Sequence, residues 1–253
     1  MAKNEDRVAL VTGSGKGVGA GIASVLCAAG FRCCIHCNTN RAMAEETLCR
    51  VLDAGGDAFL AQADVSDPAQ ARGLVEQTVA RYGRLDLLVN NAAMQYNLFI
   101  DEYDLPTLRK IWDINIGGYW RMTREALPYL RLSPAGRVVN IASVHGKRPT
   151  CFDAGYAMTK GAIRMFTREA ALELKQDGIT VNAISLGGCR IEFKTGNPPF
   201  HSYRPKEVLN PAMPRVRLVL PEEVGNLVLF LAGPEASAIT GDCIRLDAGQ
   251  MLA

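Results

Sequence analysis

Short apolar runs and longer amphipathic stretches alternate along almost the whole chain. Arg7-Val-Ala-Leu-Val-Thr12 is an apolar run, followed at once by Gly13-Ser-Gly-Lys-Gly-Val-Gly-Ala-Gly21 and then by a helical pattern carrying Ile22, Val25 and Leu26. The same rhythm predicts further strands over 31–37, 58–63, 85–89, 179–184 and near 243–246, with another ending at Ser143. Between them, helices are predicted over 41–52, 68–82, 101–116, 119–132, 154–176 and 221–231, the fourth with Pro128 inside it. Strands that read as near-continuous apolar runs fit a parallel sheet buried on both faces. Repeated βα units without an internal repeat or a low-complexity linker predict an α/β fold. We expect a doubly wound parallel sheet forming a single domain over 1–253. One stretch breaks the rhythm. Residues 186–214 are Gly/Pro-rich and irregular, and 187–217 are expected to form a substrate loop or lid.

Composition narrows the class. A net charge of +2 argues against a nucleic-acid binder. The N-terminus has no apolar h-region and no apolar run is long enough to span a bilayer, so a cytoplasmic protein without a membrane partner is expected. Cys33, Cys34 and Cys37 with His36 contain a C-x-x-C spacing. On a strand, neighbouring side chains point to opposite faces, so these residues are expected as small buried groups, with no metal or redox site.

Two stretches carry chemistry. Strand, glycine-rich turn and helix together present backbone N–H groups and a helix N-terminus to a pyrophosphate, the dinucleotide arrangement of a Rossmann-type sheet. Tyr156 and Lys160 lie four apart on the helix over 154–176 and share one face. An ammonium that close favours a phenolate. Bringing a Tyr from its reference pKa to neutrality takes about three units, roughly 4 kcal/mol. A serine hydroxyl at a neighbouring strand end, Ser143, can hold the oxygen being protonated. Ligands of such sheets bind beyond the carboxyl ends of the strands, which places Ser143 and the glycine turn on one crevice.

In this order, the motifs resemble the short-chain dehydrogenase/reductase family in its single-domain form, over nearly the whole chain. Thr12-Gly13-x-x-x-Gly17-x-Gly19 resembles its cofactor loop, and Asp64-Val65 its adenine-side contact. Asn90-Asn91-Ala92 resembles its strand-four motif, and Thr240-Gly241 with Asp247-Ala248-Gly249 its C-terminal strand. The resemblance implies a catalytic tetrad of Asn115, Ser143, Tyr156 and Lys160. Tyr156 passes the proton, Ser143 orients the carbonyl, Lys160 lowers the Tyr pKa and holds the nicotinamide ribose, and Asn115 anchors a relaying water. It also implies cofactor contacts from Thr12, Gly13, Ser14, Gly15, Lys16, Gly17, Val18, Gly19, Asn91, Ala92, Ala93, Gly187 and Cys189, besides Tyr156 and Lys160. The chain departs from the pattern at Ala93, at Leu186 and at Ile191, where Gly, Pro and Thr are usual.

NAD users of this fold place an acid at the end of strand two, whereas NADP users have basic residues nearby. Cys37 stands at that position, and no Asp or Glu occurs between Arg7 and Ala44. Lys16 and Arg41, with Asn38 and Thr39 as hydrogen-bond donors, suit a 2′-phosphate, so NADP(H) is the expected cofactor and NAD(H) the alternative. Substrate contacts are expected from 94–98, 144–152 and 187–217, with His145, Cys151 and Phe152 as candidate lining. Arg190, Lys194, Arg204, Lys206, Arg215, Arg217, Lys147 and Arg148 outweigh Glu192 and Glu207 there, which fits an anionic substrate or solvated loop charge. Trp112 and Trp120 are expected to pack in the core or at an interface, the helices around 101–131 and 154–176 pairing copies into a homodimer or homotetramer. The function expected is interconversion of a ketone or aldehyde and an alcohol. The overall look is closest to oxoacyl-carrier reductases and sugar or polyol dehydrogenases. Its rivals are an NAD-dependent sugar or polyol dehydrogenase and a non-catalytic nucleotide sensor.

Overall fold

Seven strands pair into one sheet in the order β3-β2-β1-β4-β5-β6-β7, every pairing parallel. A computed structural model describes residues 6–149, 153–191 and 217–252. The strands are β1 (Val8–Val11), β2 (Arg32–Cys37), β3 (Asp57–Gln62), β4 (Leu87–Asn90), β5 (Arg137–Ser143), β6 (Thr180–Leu186) and β7 (Cys243–Leu246). The helices are α1 (Gly17–Ala28), α2 (Arg41–Asp53), α3 (Pro68–Tyr82), α4 (Leu105–Trp112), α5 (Gly118–Leu130), α6 (Ala154–Leu174) and α7 (Pro221–Ala232). Alternation along each strand splits the core. Ala9 and Val11 meet Ile22, Leu26, Val51 and Val228 of α1, α2 and α7, whereas Val8 and Leu10 meet Leu74, Met122 and Leu174 of α3, α5 and α6.

Helix starts follow capping chemistry. Asn40, Asp67, Asp104 and Asp153 each accept a hydrogen bond from the backbone N–H three residues on, and Glu223 accepts from Leu220 N–H at 2.8 Å. The cap at Asp104 explains why α4 begins at Leu105, not at 101 as the periodicity suggested. From Asp113 to Gly117 the chain widens into a π turn before α5. β6 runs on to Leu186 instead of ending at 184, because Ser185 and Leu186 pair with Ala142 and Ser143 of β5 and, on the other side, with Arg245 and Leu246 of β7. The β7 partner lies some sixty residues away in sequence, so local pattern could not reveal it.

Two strand lengths open the crevice. β4 stops at Asn90, opposite Asn140, while β5 continues to Ser143 paired with β6 alone. Past Asn140, the β4 side of β5 therefore has no strand beside it, and side chains from α5 and α6 reach it instead.

Beyond β7, Asp247 accepts from Gly249 N–H and Met251 N–H, folding the C-terminal turn back on itself. Ala248 sits there, exposed, at φ 50°, in the left-handed region that costs an L-residue with a Cβ. Ala248→Gly is expected to raise stability by about 0.5–1 kcal/mol, the relief of strain exceeding the added chain entropy of the unfolded state. A urea midpoint equal to or below that of the parent protein contradicts this.

Candidate active site

The turn after β1 is held in shape by side chains from neighbouring strand ends. Thr12 is buried; its hydroxyl accepts from Asn91 N–H at 2.9 Å and Ala92 N–H at 3.0 Å and donates to the Val89 carbonyl at 3.3 Å. The Asn91 amide donates to the carbonyls of Thr12 and Gly13 at 2.8 and 3.1 Å. Ser14 points inward, donating to Val11 O at 2.6 Å and accepting from His36 N–H at 2.9 Å. The Thr12 and Ser14 side chains are thus engaged with protein, and the Gly13 and Gly15 amides are held by His36, which leaves the amides at the start of α1 to face a ligand.

His36 is a partner of this turn that sequence reading left unassigned. Gly13 N–H donates to its Nδ1 at 2.8 Å, and Nε2 lies 2.9 Å from the Ala63 carbonyl. An amide can only donate, so the ring proton sits on Nε2 and the imidazole is neutral. Burial lowers its pKa further, against opposing contributions from Ala63 and Asp64. On a buried strand beside three cysteines, nothing in the sequence distinguished this residue from simple packing.

The turn fits a pyrophosphate. Gly13 and Gly17 adopt φ 65° and 56°, and a Cβ on Gly19 would stand 2.5 Å from Gly13 O. Lys16 precedes α1 with no side-chain cap, and the first turn of that helix carries no acid, so its N–H groups and dipole are available to an anion.

Towards the adenosine side, Cys37 is buried at the end of β2, and Asn38, Thr39 and Lys16 are exposed. Arg41 is not free: its Nε pairs with Glu45 Oε1 at 2.8 Å. Asp64 accepts from Ser66 N–H at 2.8 Å and from the Ser66 hydroxyl at 2.6 Å. Burial raises the Asp64 pKa, but these bonds and the nearby Asn38 outweigh it, and the carboxyl is held below its usual range. Val65 is buried against Gly118, while Ala92 and Ala93 are partly to fully exposed on the loop after β4.

Three of the tetrad residues converge where β5 outruns β4. Ser143 is buried; its hydroxyl accepts from His145 N–H at 3.2 Å and stands close enough to the Tyr156 phenol to favour its ionised form. Lys160 Nζ donates to Ile141 O at 2.7 Å, contacts the Tyr119 hydroxyl at 3.4 Å and lies 5.5 Å from the centre of the Tyr156 ring. A phenolate near neutrality was expected from the Tyr156–Lys160 spacing. In the chain alone the opposite holds. Burial pushes the Tyr156 phenol up to about 12, with Ser143 lowering it and the Asp153 charge raising it. Lys160 is only 2% exposed, and burial pulls it down to about 7. An ammonium that is itself destabilised by burial has little charge to lend its neighbour.

Asn115, in the π turn, is fully buried. Its amide donates to Met94 O at 2.9 Å and Thr159 Oγ1 at 3.0 Å, and its carbonyl accepts from Met94 N–H at 2.8 Å. The side chain therefore ties the loop after β4 to α6. Asp153 does the same from the other end, accepting from Tyr156 N–H at 2.9 Å, Asn97 N–H at 3.0 Å and the Tyr103 hydroxyl. Sequence reading missed Asp153; an Asp just ahead of a helical pattern was the available signal.

The remaining wall comes from the segment after β6. Gln250 pins Gly188, accepting from its N–H at 2.6 Å and donating to its carbonyl at 3.1 Å. Gly187 N–H donates to Leu246 O at 3.0 Å, and Cys189, its thiol pushed up to about 11 by burial, bridges to Val219. Ile191 lies over the glycine turn, its Cγ2 3.0 Å from where a Gly17 Cβ would be. Arg217 is paired with Glu223 at 2.6 Å, whereas Lys147 and Arg148 are exposed. The lid expectation falls mostly on 192–216, and Cys151 and Phe152 on 150–152, outside the described residues. His145 keeps its ring 6.5 Å from that of Tyr156, with Nδ1 buried and unpartnered.

Comparison with known proteins gives concordant matches. The family model described as short chain dehydrogenase matches residues 7–198. A 2,5-dichloro-2,5-cyclohexadiene-1,4-diol dehydrogenase of Sphingobium indicum is 32% identical, with 96% of this chain and 95% of the relative covered. A 3-oxoacyl-acyl-carrier-protein reductase of Synechocystis is 29% identical over 97% of both chains. The solved structure of a short-chain dehydrogenase/reductase from Serratia marcescens superposes with a TM-score of 0.87 at 30% identity, covering 98% of each chain.

If Asn115 acts as a strut, Asn115→Leu removes three hydrogen bonds and strands both backbone groups of Met94. A loss of about 2–4 kcal/mol in denaturant unfolding is expected, with faster hydrogen exchange at Met94. Unchanged stability would mean that its side chain matters only through water.

Proposed function

The chain belongs to the short-chain dehydrogenase family, and from that premise we propose an NADP(H)-dependent oxidoreductase that interconverts a ketone or aldehyde and an alcohol. The observation that carries the proposal is the convergence of Ser143, Tyr156 and Lys160 at the sheet edge that also bears the glycine turn. The nicotinamide cofactor, when bound, supplies the hydride. The chain's own residues handle the proton. Tyr156, held protonated at neutral pH, donates from its hydroxyl to the substrate oxygen, while Ser143 Oγ orients that oxygen. Lys160, in its charged form, stabilises the phenolate left behind. A protonated phenol at neutral pH favours the reductive direction. Lys147, Arg148 and Arg190 support an anionic substrate. The 3-oxoacyl reductase among the relatives fits a substrate of that kind.

For the cofactor, Lys16 and Arg41 would hold a 2′-phosphate. The Arg41–Glu45 pair is more than half exposed on both sides and is worth about 0.5 kcal/mol, little for a phosphate dianion to displace. Glu45 also favours the second reading, an NAD-dependent alcohol dehydrogenase, since its carboxylate acts on Cys37 at the end of β2. The diol dehydrogenase among the relatives supports that direction. A homodimer or homotetramer completes the proposal. Met158, Met165 and Leu172 form an exposed stripe on α6, and Trp112 on α4 and Trp120 on α5 are exposed as well.

Cofactor titration by fluorescence should show NADPH binding more tightly than NADH. Lys16→Ala and Arg41→Ala are each expected to weaken NADPH about tenfold, or about 1.4 kcal/mol, and to leave NADH unchanged. Equal losses for both nucleotides would transfer the assignment to NAD.

On a panel of ketones, Tyr156→Phe should lose turnover and keep cofactor binding; a panel inert with the parent protein would favour a nucleotide sensor. The pH dependence has a definite sign. Tyr156 stays protonated up to about 12, and the ammonium of Lys160 is present below about 7, so reductive kcat/KM should fall as pH rises through 7. A profile that climbs with pH there refutes the assignment of Lys160.

A further inference from the structure

A buried ammonium has three N–H donors to place and no water to take them. For Lys160, the Ile141 carbonyl at 2.7 Å accepts one, and the Tyr119 hydroxyl at 3.4 Å lies within reach of a second. Tyr119 is itself 2% exposed, the largest of the fully buried side chains among the described residues. Its hydroxyl proton goes to Ile141 O at 3.0 Å, so the oxygen keeps lone pairs for the ammonium. The ring adds a second contact. Lys160 Nζ lies 5.3 Å from the centre of the Tyr119 ring and 5.5 Å from that of Tyr156, between the faces of two aromatics. Tyr119 is firmly placed, since its carbonyl accepts from Thr123, whose hydroxyl in turn receives the Asn90 amide.

We propose that Tyr119 is a positioning residue for Lys160, its ring and hydroxyl holding the ammonium against the Ile141 carbonyl beside Tyr156. The proposal rests on Lys160 serving the proton chemistry of this site, and it adds a residue from α5 that no sequence motif marks. The titratable groups around Lys160 are Tyr119 from α5 and Tyr156 on its own helix. Asp153, the residue before α6, acts on Tyr156 and on His145 after β5, and is not among the causes that shift Lys160. Burial alone shifts Lys160, with no carboxylate compensating. Contacts that favour the charged form therefore come from neutral groups, and Tyr119 supplies two of them.

The test follows the Lys160 titration directly, by NMR of the free protein labelled at lysine 13Cε, with the signal assigned by its loss in Lys160→Arg. Tyr119→Phe keeps the ring and removes the hydroxyl. Lys160 is then expected to lose its proton about 0.5–1 pH unit lower than in the parent, as fits one long charge-assisted hydrogen bond. Tyr119→Met, which lacks both hydroxyl and ring yet can repack, should lower it at least as far. If either folded variant titrates at the parent's pH or above it, the proposal is overturned. The readout needs no substrate, so a failed ketone panel leaves it standing. Where turnover is found, the fall in reductive kcat/KM should move to lower pH in Tyr119→Phe by the same amount.

Discussion

Past Asn140 the carbonyl of Ile141 has no β4 strand beside it, and a buried carbonyl must find a donor. It finds two, the ammonium of Lys160 from α6 and the hydroxyl of Tyr119 from α5. That small knot joins the sheet edge to both helices on one face, and the cleft is arranged about it. Ser143 lies two residues further along β5, and Tyr156 one turn back along α6, so the hydroxyl and phenol meet as a consequence of where the ammonium is anchored. Were β4 as long as β5, the carbonyl would be spent in the ladder and this space would be filled.

The electrostatics follow from the same burial. Both the phenol and the ammonium are moved towards their neutral forms, and Asp153 adds a negative charge that further disfavours the phenolate. A site in this state is a proton donor at rest. Its poise depends on a few neutral hydrogen bonds and ring faces, which are worth little each but act where water does not compete.

On the nucleotide side the governing feature is rigidity. Thr12, Ser14, Asn91 and His36 spend their polar atoms on the glycine turn and its neighbours, so that the backbone amides are already arranged before any ligand arrives. Lys16 and Arg41, which we propose hold a 2′-phosphate, stand outside this frame on exposed positions.

Period and punctuation in the chain determined a great deal: the βα alternation, most element boundaries to within a few residues, the glycine turn, and the grouping of Tyr156, Lys160 and Ser143. These are local signals, carried by side-chain spacing within one element or by the residue types a turn requires. What needed the tertiary structure were properties set by partners distant in sequence. The end of β6 depended on β5 and β7, and the roles of His36, Asp153 and Tyr119 depended on which backbone groups other elements left unpaired. The direction in which Tyr156 and Lys160 shift was decided there too. Spacing in a sequence fixes which charges are neighbours, but desolvation is a property of everything packed around them, and here it is the larger effect.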